Sequence, residues 1–187
     1  MKKLMIMPLL LVLGCLIAGI YGCLHDQISY TVSPEYYTCF KFHQFGIPEP
    51  LHNRLGAAVV GWRATWWMGI VIGVFVIPSG LILKGWKNYF FKTLLAFGVV
   101  ALTAFCIGVG ALAVSCFTIH TGAIPAWPYP EGVQDTVNFA RVGTMHNFSY
   151  LGGLVGILAG IAYLVSQRRQ TSPASAPTAA PQDHSRR

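Results

Sequence analysis

Acidic side chains are scarce in this chain of 187 residues. Asp and Glu number 6 against 13 Lys and Arg, and all charged residues together make up 10%. A water-soluble domain carries about a quarter charged residues and less than half apolar ones. Here 54% are hydrophobic and the mean hydropathy is +0.55. So few charges could not cover that much apolar surface in water, and so much apolar surface excludes a disordered chain. A membrane protein remains.

Recognisable motifs are lacking as well. No CxxC or metal-finger spacing occurs among the five cysteines, which argues against thioredoxin-like and zinc-ribbon folds. There is no Ser-His-Asp elbow, P-loop or dinucleotide fingerprint. Gly108-Val109-Gly110 lies inside an apolar run and follows no strand, so it is not a phosphate loop. No internal repeat is visible. No ionisable residue falls near the middle of an apolar run, which disfavours an ion-coupled transporter, as does the lack of paired helix breaks in matching halves. The basic residues sit at the edges of apolar runs, a pattern of topology signals and not of a nucleic-acid groove.

What is present begins with apolar length. A bilayer core of about 30 Å needs about 20 apolar residues as helix. Four stretches predict spans: 4–22, 65–83, 93–118 and 148–165. The first follows Lys2 and Lys3 like a signal peptide. Its length and the lack of a small-x-small site favour an uncleaved anchor, with processing or lipidation at Cys15 the alternative. Pro78, beside Ser79 and Gly80, predicts a kink in the second span. Residues 1–169 then form one membrane domain with outer loops at 23–64 and 119–147. The Pro-, Ala-, Ser- and Thr-rich segment 170–187 is expected to be a disordered cytoplasmic tail.

Charge gives the orientation. With the N-terminus in the cytoplasm, nine basic residues fall inside (Lys2, Lys3, Lys84, Lys87, Lys92, Arg168, Arg169, Arg186, Arg187) and four outside (Lys41, Arg54, Arg63, Arg141). Both termini are therefore expected in the cytoplasm of a cell bounded by a plasma or bacterial inner membrane.

In the first outer loop Ile28, Tyr30 and Val32 alternate with Ser29, Thr31 and Ser33. Alternation resumes after Ser33-Pro34-Glu35, with Phe40 and Phe42 opposite Lys41 and His43. Period two predicts a β-hairpin. The expected fold is thus an all-α membrane protein, a four-helix transmembrane bundle with a small extracytoplasmic β-hairpin cap between helices 1 and 2. That layout resembles claudin-like membrane folds in layout alone. The aromatic and paired-cysteine signature of their loop is absent, and no family is assigned. After Pro50, Leu51, Leu55, Ala58, Val59, Trp62 and Trp66 share a helical face, which predicts one helix of about 50 Å running into the second span. Cys23 and Cys39, both outside, could bridge or stay as free thiols.

Small-residue stripes mark candidate packing faces. They are Gly14, Ala18 and Gly22 on the first helix, Gly69, Gly73 and Gly80 on the second, Thr103, Cys106, Gly110 and Ala113 on the third, and Gly152 or Gly153, Gly156 and Gly160 on the fourth. Each leads outward towards a histidine. His25, His43, His52, His120 and His146 fall outside, as do five of the six acidic residues. Imidazole and carboxylate bind transition metals, and two histidines on facing helices can hold a haem iron. His25, His120, His146 and Asp26 are the candidate ligands. Capping of helix ends and loop backbone is the plainer alternative, and acid–base catalysis a third. His25 and Asp26 are expected just beyond a helix end, where the dipole favours an imidazolium. Arg141 is expected in an ion pair with Asp135 or Glu131, or on a lipid or partner carboxylate.

Three functions are compatible with this pattern. The first is a non-enzymatic accessory protein presenting an aromatic cap, including Tyr36, Tyr37, Phe40 and Phe42, to lipid, a membrane partner or a second copy. The second is a metal- or haem-binding redox or trafficking protein. The third is an enzyme acting on a lipid-borne substrate at the outer interface.

Overall fold

A computed structural model describes residues 1–170. The segment 171–187, expected above as a tail, lies outside the described residues. Among the described residues there is no strand. The chain runs α1 (Lys2–Val32), a π-helical turn (Tyr37–Lys41) continuing into α2 (Phe42–Gln44), a 3-10 turn (Glu49–Leu51), α3 (Arg54–Thr65), α4 (Met68–Gly80), α5 (Trp86–Thr118) and α6 (Thr136–Gln170).

The all-α class holds; the β-hairpin does not form, and the layout resemblance that depended on it falls. The alternating residues 28–32 belong to the last turns of α1. Their hydroxyls are satisfied within the helix, Thr31 Oγ1 donating to the Gln27 carbonyl at 2.8 Å and Ser29 Oγ to the His25 carbonyl at 3.4 Å. Ser29 is fully buried against Tyr37, the reverse of the hydrophobic-in pattern that period two implied. The second half of the supposed hairpin is the π turn and α2.

Four separate spans are likewise not found. Three helices, α1, α5 and α6, are long and apolar enough to cross a membrane. α3 and α4 pass the same test only when taken together, across a 45° bend. The bend replaces the single 50 Å helix expected from Leu51. Thr65 Oγ1 donates to the Gly61 carbonyl one turn back, at 2.8 Å, a local bond that bends helices. Thr65 Oγ1 also lies 2.7 Å from the Ala18 carbonyl of α1. The next bonds, Gly69 N to Trp66 O and Ile70 N to Trp67 O, are of the tighter three-residue kind. The break therefore lies at Trp66–Trp67, while Pro78 sits two residues before α4 ends. The face shared by Leu55, Trp62 and Trp66 points outward; α3 buries Gly56, Ala57, Val60 and Gly61.

The elements are held at their ends by side chains. Asn53 caps α3 through Leu55 N and Gly56 N. Asp135 Oδ1 accepts from Asn138 N at the start of α6. Lys3 Nζ donates to the Leu81 and Leu83 carbonyls, at 3.1 and 2.6 Å, sealing the end of α4.

Glycines set the helix spacings. Gly22 of α1 meets Gly61 of α3 backbone to backbone, and a Cβ on either would collide with the other's carbonyl. Gly69 lies against Cys15, and Gly80 against Thr93 and Tyr89. On α6 the ladder Gly152, Gly156 and Gly160 packs on Ala104, Val100 and Ala96. The expected stripe on α5 is not the packing face: Cys106 is exposed and Gly110 opens to empty space, while Ala96, Val100, Ala104 and Gly108 are buried.

Two apolar cores result. One, around Leu10, Val76, Tyr89, Phe97 and Leu164, joins the basic ends of the helices. The other, around Tyr36, Tyr37, Phe42, Val60, Phe139 and Val142, closes the opposite end. All five cysteines are free; Cys23 donates to the Ala58 carbonyl, so the possible bridge to Cys39 is absent.

Candidate metal centre

Just beneath the aromatic core, α1 and α6 bring five polar side chains into an otherwise apolar interior. The α1 stripe Gly14, Ala18, Gly22 continues at helical spacing to His25, Asp26 and Ser29, all buried. On α6, Val142, His146 and Ser149 face it, also buried. Because α1 runs on to Val32, His25 and Asp26 lie inside the helix and not beyond its end.

One carboxylate oxygen organises the cluster. Asp26 Oδ1 lies 3.1 Å from His25 Nδ1 and 3.4 Å from His146 Nε2. Ligand atoms of the three residues all lie within 4.8 Å of one another. Ligands held about 2.0–2.1 Å from a tetrahedral ion lie about 3.3 Å from each other, so the two shorter edges suit a common ion. The outward ring nitrogens are also held. His146 Nδ1 lies 2.9 Å from the Val142 carbonyl, which only accepts, so this nitrogen carries a proton, and Nε2 faces Asp26 Oδ1. A lone pair facing a carboxylate is unfavourable unless a cation, proton or metal, lies between them. His25 Nε2 lies 2.9 Å from Ser149 Oγ. Metal-bound histidines nearly always have their second nitrogen fixed in this manner.

Aromatic rings form the roof. Tyr36 stacks on His146 with centroids 4.9 Å apart, and His25 meets His146 edge-on at 4.7 Å. The Tyr37 hydroxyl bonds Ser29 Oγ and the Asp26 carbonyl. Burial pushes the phenol pKa of Tyr36 and of Tyr37 well up, so both stay protonated.

Lys41 reaches the same region. It is only 9% exposed, and its neighbours are neutral: Gln44 Oε1 at 2.9 Å and the rings of Tyr36, Phe40 and Phe45. Burial lowers its pKa, partly offset by the charge of Asp26. Among the described residues it has no carboxylate within ion-pair distance. Below the cluster a cavity of about 80 Å³ runs between the helices. Its polar end holds His25, Asp26, Lys41, His146 and Ser149, and its apolar end Gly14, Ala18, Ile72 and Phe97.

Of the four ligands suggested by sequence, the structure unites His25, Asp26 and His146. His120 is exposed in the turn after α5 and does not belong to the cluster. His52 stacks on Phe42 and bonds the Ile47 carbonyl at 2.9 Å, the loop-bonding role. Among the described residues Arg141 makes no ion pair. Its guanidinium donates to the Cys116 and Ile119 carbonyls and to Asn138 Oδ1, closing the C-terminal end of α5, where a cation is favoured. Tyr36, Tyr37 and Phe42 are core residues and Phe40 is half-buried among Tyr36 and Phe139, so the aromatic cap faces inward. Ser149 and Lys41 were not singled out by sequence. Ser149 lay on the α6 stripe and could have been found there; Lys41 was hidden by the assumed strand, which turned it outward.

No protein-family model matches the chain, nor does any curated protein or solved structure.

Proposed function

We propose that the chain is a membrane metal-binding protein whose His25–Asp26–His146 cluster holds one divalent first-row transition ion. The observation that supports this most is the convergence of two imidazole nitrogens on one buried carboxylate oxygen, with both remaining ring nitrogens already engaged. Two histidines and one carboxylate suit zinc or iron and leave coordination positions open. The ion would supply Lewis acidity at those positions. Haem fits less well than a single ion. The two rings meet edge to face on one carboxylate, and the cavity is too narrow for a porphyrin between them.

In this reading the basic ends of the helices, with Lys2, Lys3, Lys84, Lys87, Lys92, Arg168 and Arg169, face the cytoplasm, and the metal lies near the opposite surface. The protein thus offers a metal to the outer half of a plasma or inner membrane, in redox, trafficking or lipid chemistry.

Metal analysis of protein purified from its membrane, together with cobalt titration in the visible range, tests this. One ion per chain is expected, falling below a tenth in His146→Ala and in Asp26→Asn. Wild-type protein without metal and without saturable cobalt binding sinks the proposal.

A second reading has a specific observation behind it. Ser149 Oγ, His25 and Asp26 line up as hydroxyl, imidazole and carboxylate, at 2.9 and 3.1 Å, the order of a hydrolase relay. It would make Ser149 a nucleophile towards a lipid ester. Against it, Asp26 Oδ1 is shared with His146. Ser149→Ala abolishes any ester hydrolysis under this reading, whereas the metal reading keeps one cobalt per chain in that variant.

A further inference from the structure

The chemistry of the cavity indicates what meets the metal. We propose that it binds a long-chain fatty carboxylate, headgroup between Lys41 and the His25–Asp26–His146 cluster and alkyl chain along α1 towards Gly14 and Phe97. The metal half of the head contacts rests on the function proposed above; the Lys41 and chain contacts do not.

Two observations carry it. First, Lys41 is a nearly buried ammonium with only neutral partners, and it lines the same cavity as the cluster. A buried cation costs several kcal/mol unless an anion meets it, and the described chain provides none within ion-pair distance. A bound ion at the cluster adds positive charge on the other side of the same space. An anionic oxygen headgroup answers both. Second, the cavity changes character along its length. Below Ser149 and Tyr21 its walls are Gly14, Ile17, Ala18, Ile72, Phe97 and Val100. Gly14 lies eleven residues below His25 on one helix, roughly 16 Å at the helical rise, the reach of an extended hydrocarbon chain and not of a small polar substrate.

Gly153 provides a clean obstruction. It lines the cavity, and a Cβ placed on it meets nothing within 4 Å, so Gly153→Leu narrows the channel without colliding with a neighbouring helix. Ala101→Leu on α5 is the second such variant, in case the first does not assemble.

The experiment uses the full chain in lipid nanodiscs with a palmitate carrying a mid-chain diazirine, photolysed and mapped by mass spectrometry. The label should fall on the cavity-lining residues Gly14, Ile17, Ala18, Phe97, Val100 and Ala101. Excess palmitate should compete it away, and hexadecanol should do so at least tenfold less well. Gly153→Leu, Ala101→Leu and Lys41→Met should each lower labelling at least tenfold, while the two channel variants keep their cobalt stoichiometry. Labelling confined to outward residues such as Leu16, Val74 and Leu102, or competition equal for palmitate and hexadecanol, overturns the proposal. Should the wild type bind no cobalt, the metal reading fails alone, because labelling in chelator still decides the chain and Lys41 contacts.

Discussion

Asp26 and Lys41 are the two side chains whose burial needs a reason beyond packing. Asp26 is held by two imidazoles, and its position makes the neighbouring hydroxyl of Ser149 a lever on metal affinity. Removing the partner of a ligating histidine costs 10–100-fold in metal binding. Ser149→Ala should therefore weaken cobalt binding by about that factor without abolishing it, read from the titration that gives stoichiometry. Lys41 works against stability. Lys41→Met removes a desolvated charge and keeps the stem that packs on Phe40. It should raise stability by about 0.5–2 kcal/mol, seen as a higher unfolding midpoint in detergent, while fatty carboxylate binding falls. The same charge has a pH signature. Burial lowers the Lys41 pKa, so the unfolded chain binds that proton more tightly. Its penalty is full below the depressed native pKa and disappears above the unfolded lysine's value of about 10.4. Wild-type stability should gain on Lys41→Met as pH rises through that window.

At the scale of elements, the close contacts are made by backbone. Gly22 and Gly61 touch across α1 and α3. Gly22→Leu must push these helices apart, at a cost of about 1–3 kcal/mol or more for overpacking. Since Gly22 is one turn below Asp26, cobalt affinity should fall together with the unfolding midpoint. An unchanged midpoint would mean that the helices are not in contact there. At Arg141, hydrogen bonds from a charged group are worth about 1.5–3 kcal/mol. Arg141→Gln should cost about that much by fraying the end of α5, with the metal site intact.

The elements also show where sequence reasoning reaches. Gly14, Ala18, Gly22 and the ladder Gly152, Gly156, Gly160 were legible because small residues at helical spacing have one use in a membrane, close approach. They led directly to His25 and His146. Residues 28–45 were misread because alternation over a few residues is compatible with helix whenever hydroxyls bond back to their own helix, as Thr31 does. The break at Trp66–Trp67 depends on Thr65 finding the Ala18 carbonyl of another helix, a tertiary contact with no local trace. Pro78 gave a stronger local signal, but it lies two residues before α4 ends, away from that break. The α5 stripe failed for a related reason: spacing names a face but not which neighbour it meets.

Across the whole molecule, most of the basic groups stand at the end opposite the site. Lys3 lies at the Leu81–Leu83 turn and Leu164 beside Tyr89, so the start of α1 and the end of α6 share the basic end. A fluorescent protein fused after residue 187 should fold and fluoresce if that end is cytoplasmic, and alkaline phosphatase in the same place should be inactive. The reverse pair of results would place the metal cluster on the inner side. The few charges are therefore not evenly thinned; they are sorted by end, and the scarce acidic groups belong mostly to the end that holds the cluster.

The pairing of the first helix with the last has a consequence for synthesis. His25 and Ser149 are 124 residues apart, and the chain is made from the N-terminus. If α1 enters the bilayer as it is made, its imidazole and carboxylate have only each other until His146 and Ser149 of α6 arrive. During that interval the pair is exposed to lipid or shielded by the insertion machinery, and each unmet polar group there is costly. A chain stopped before α6 keeps that exposed pair permanently.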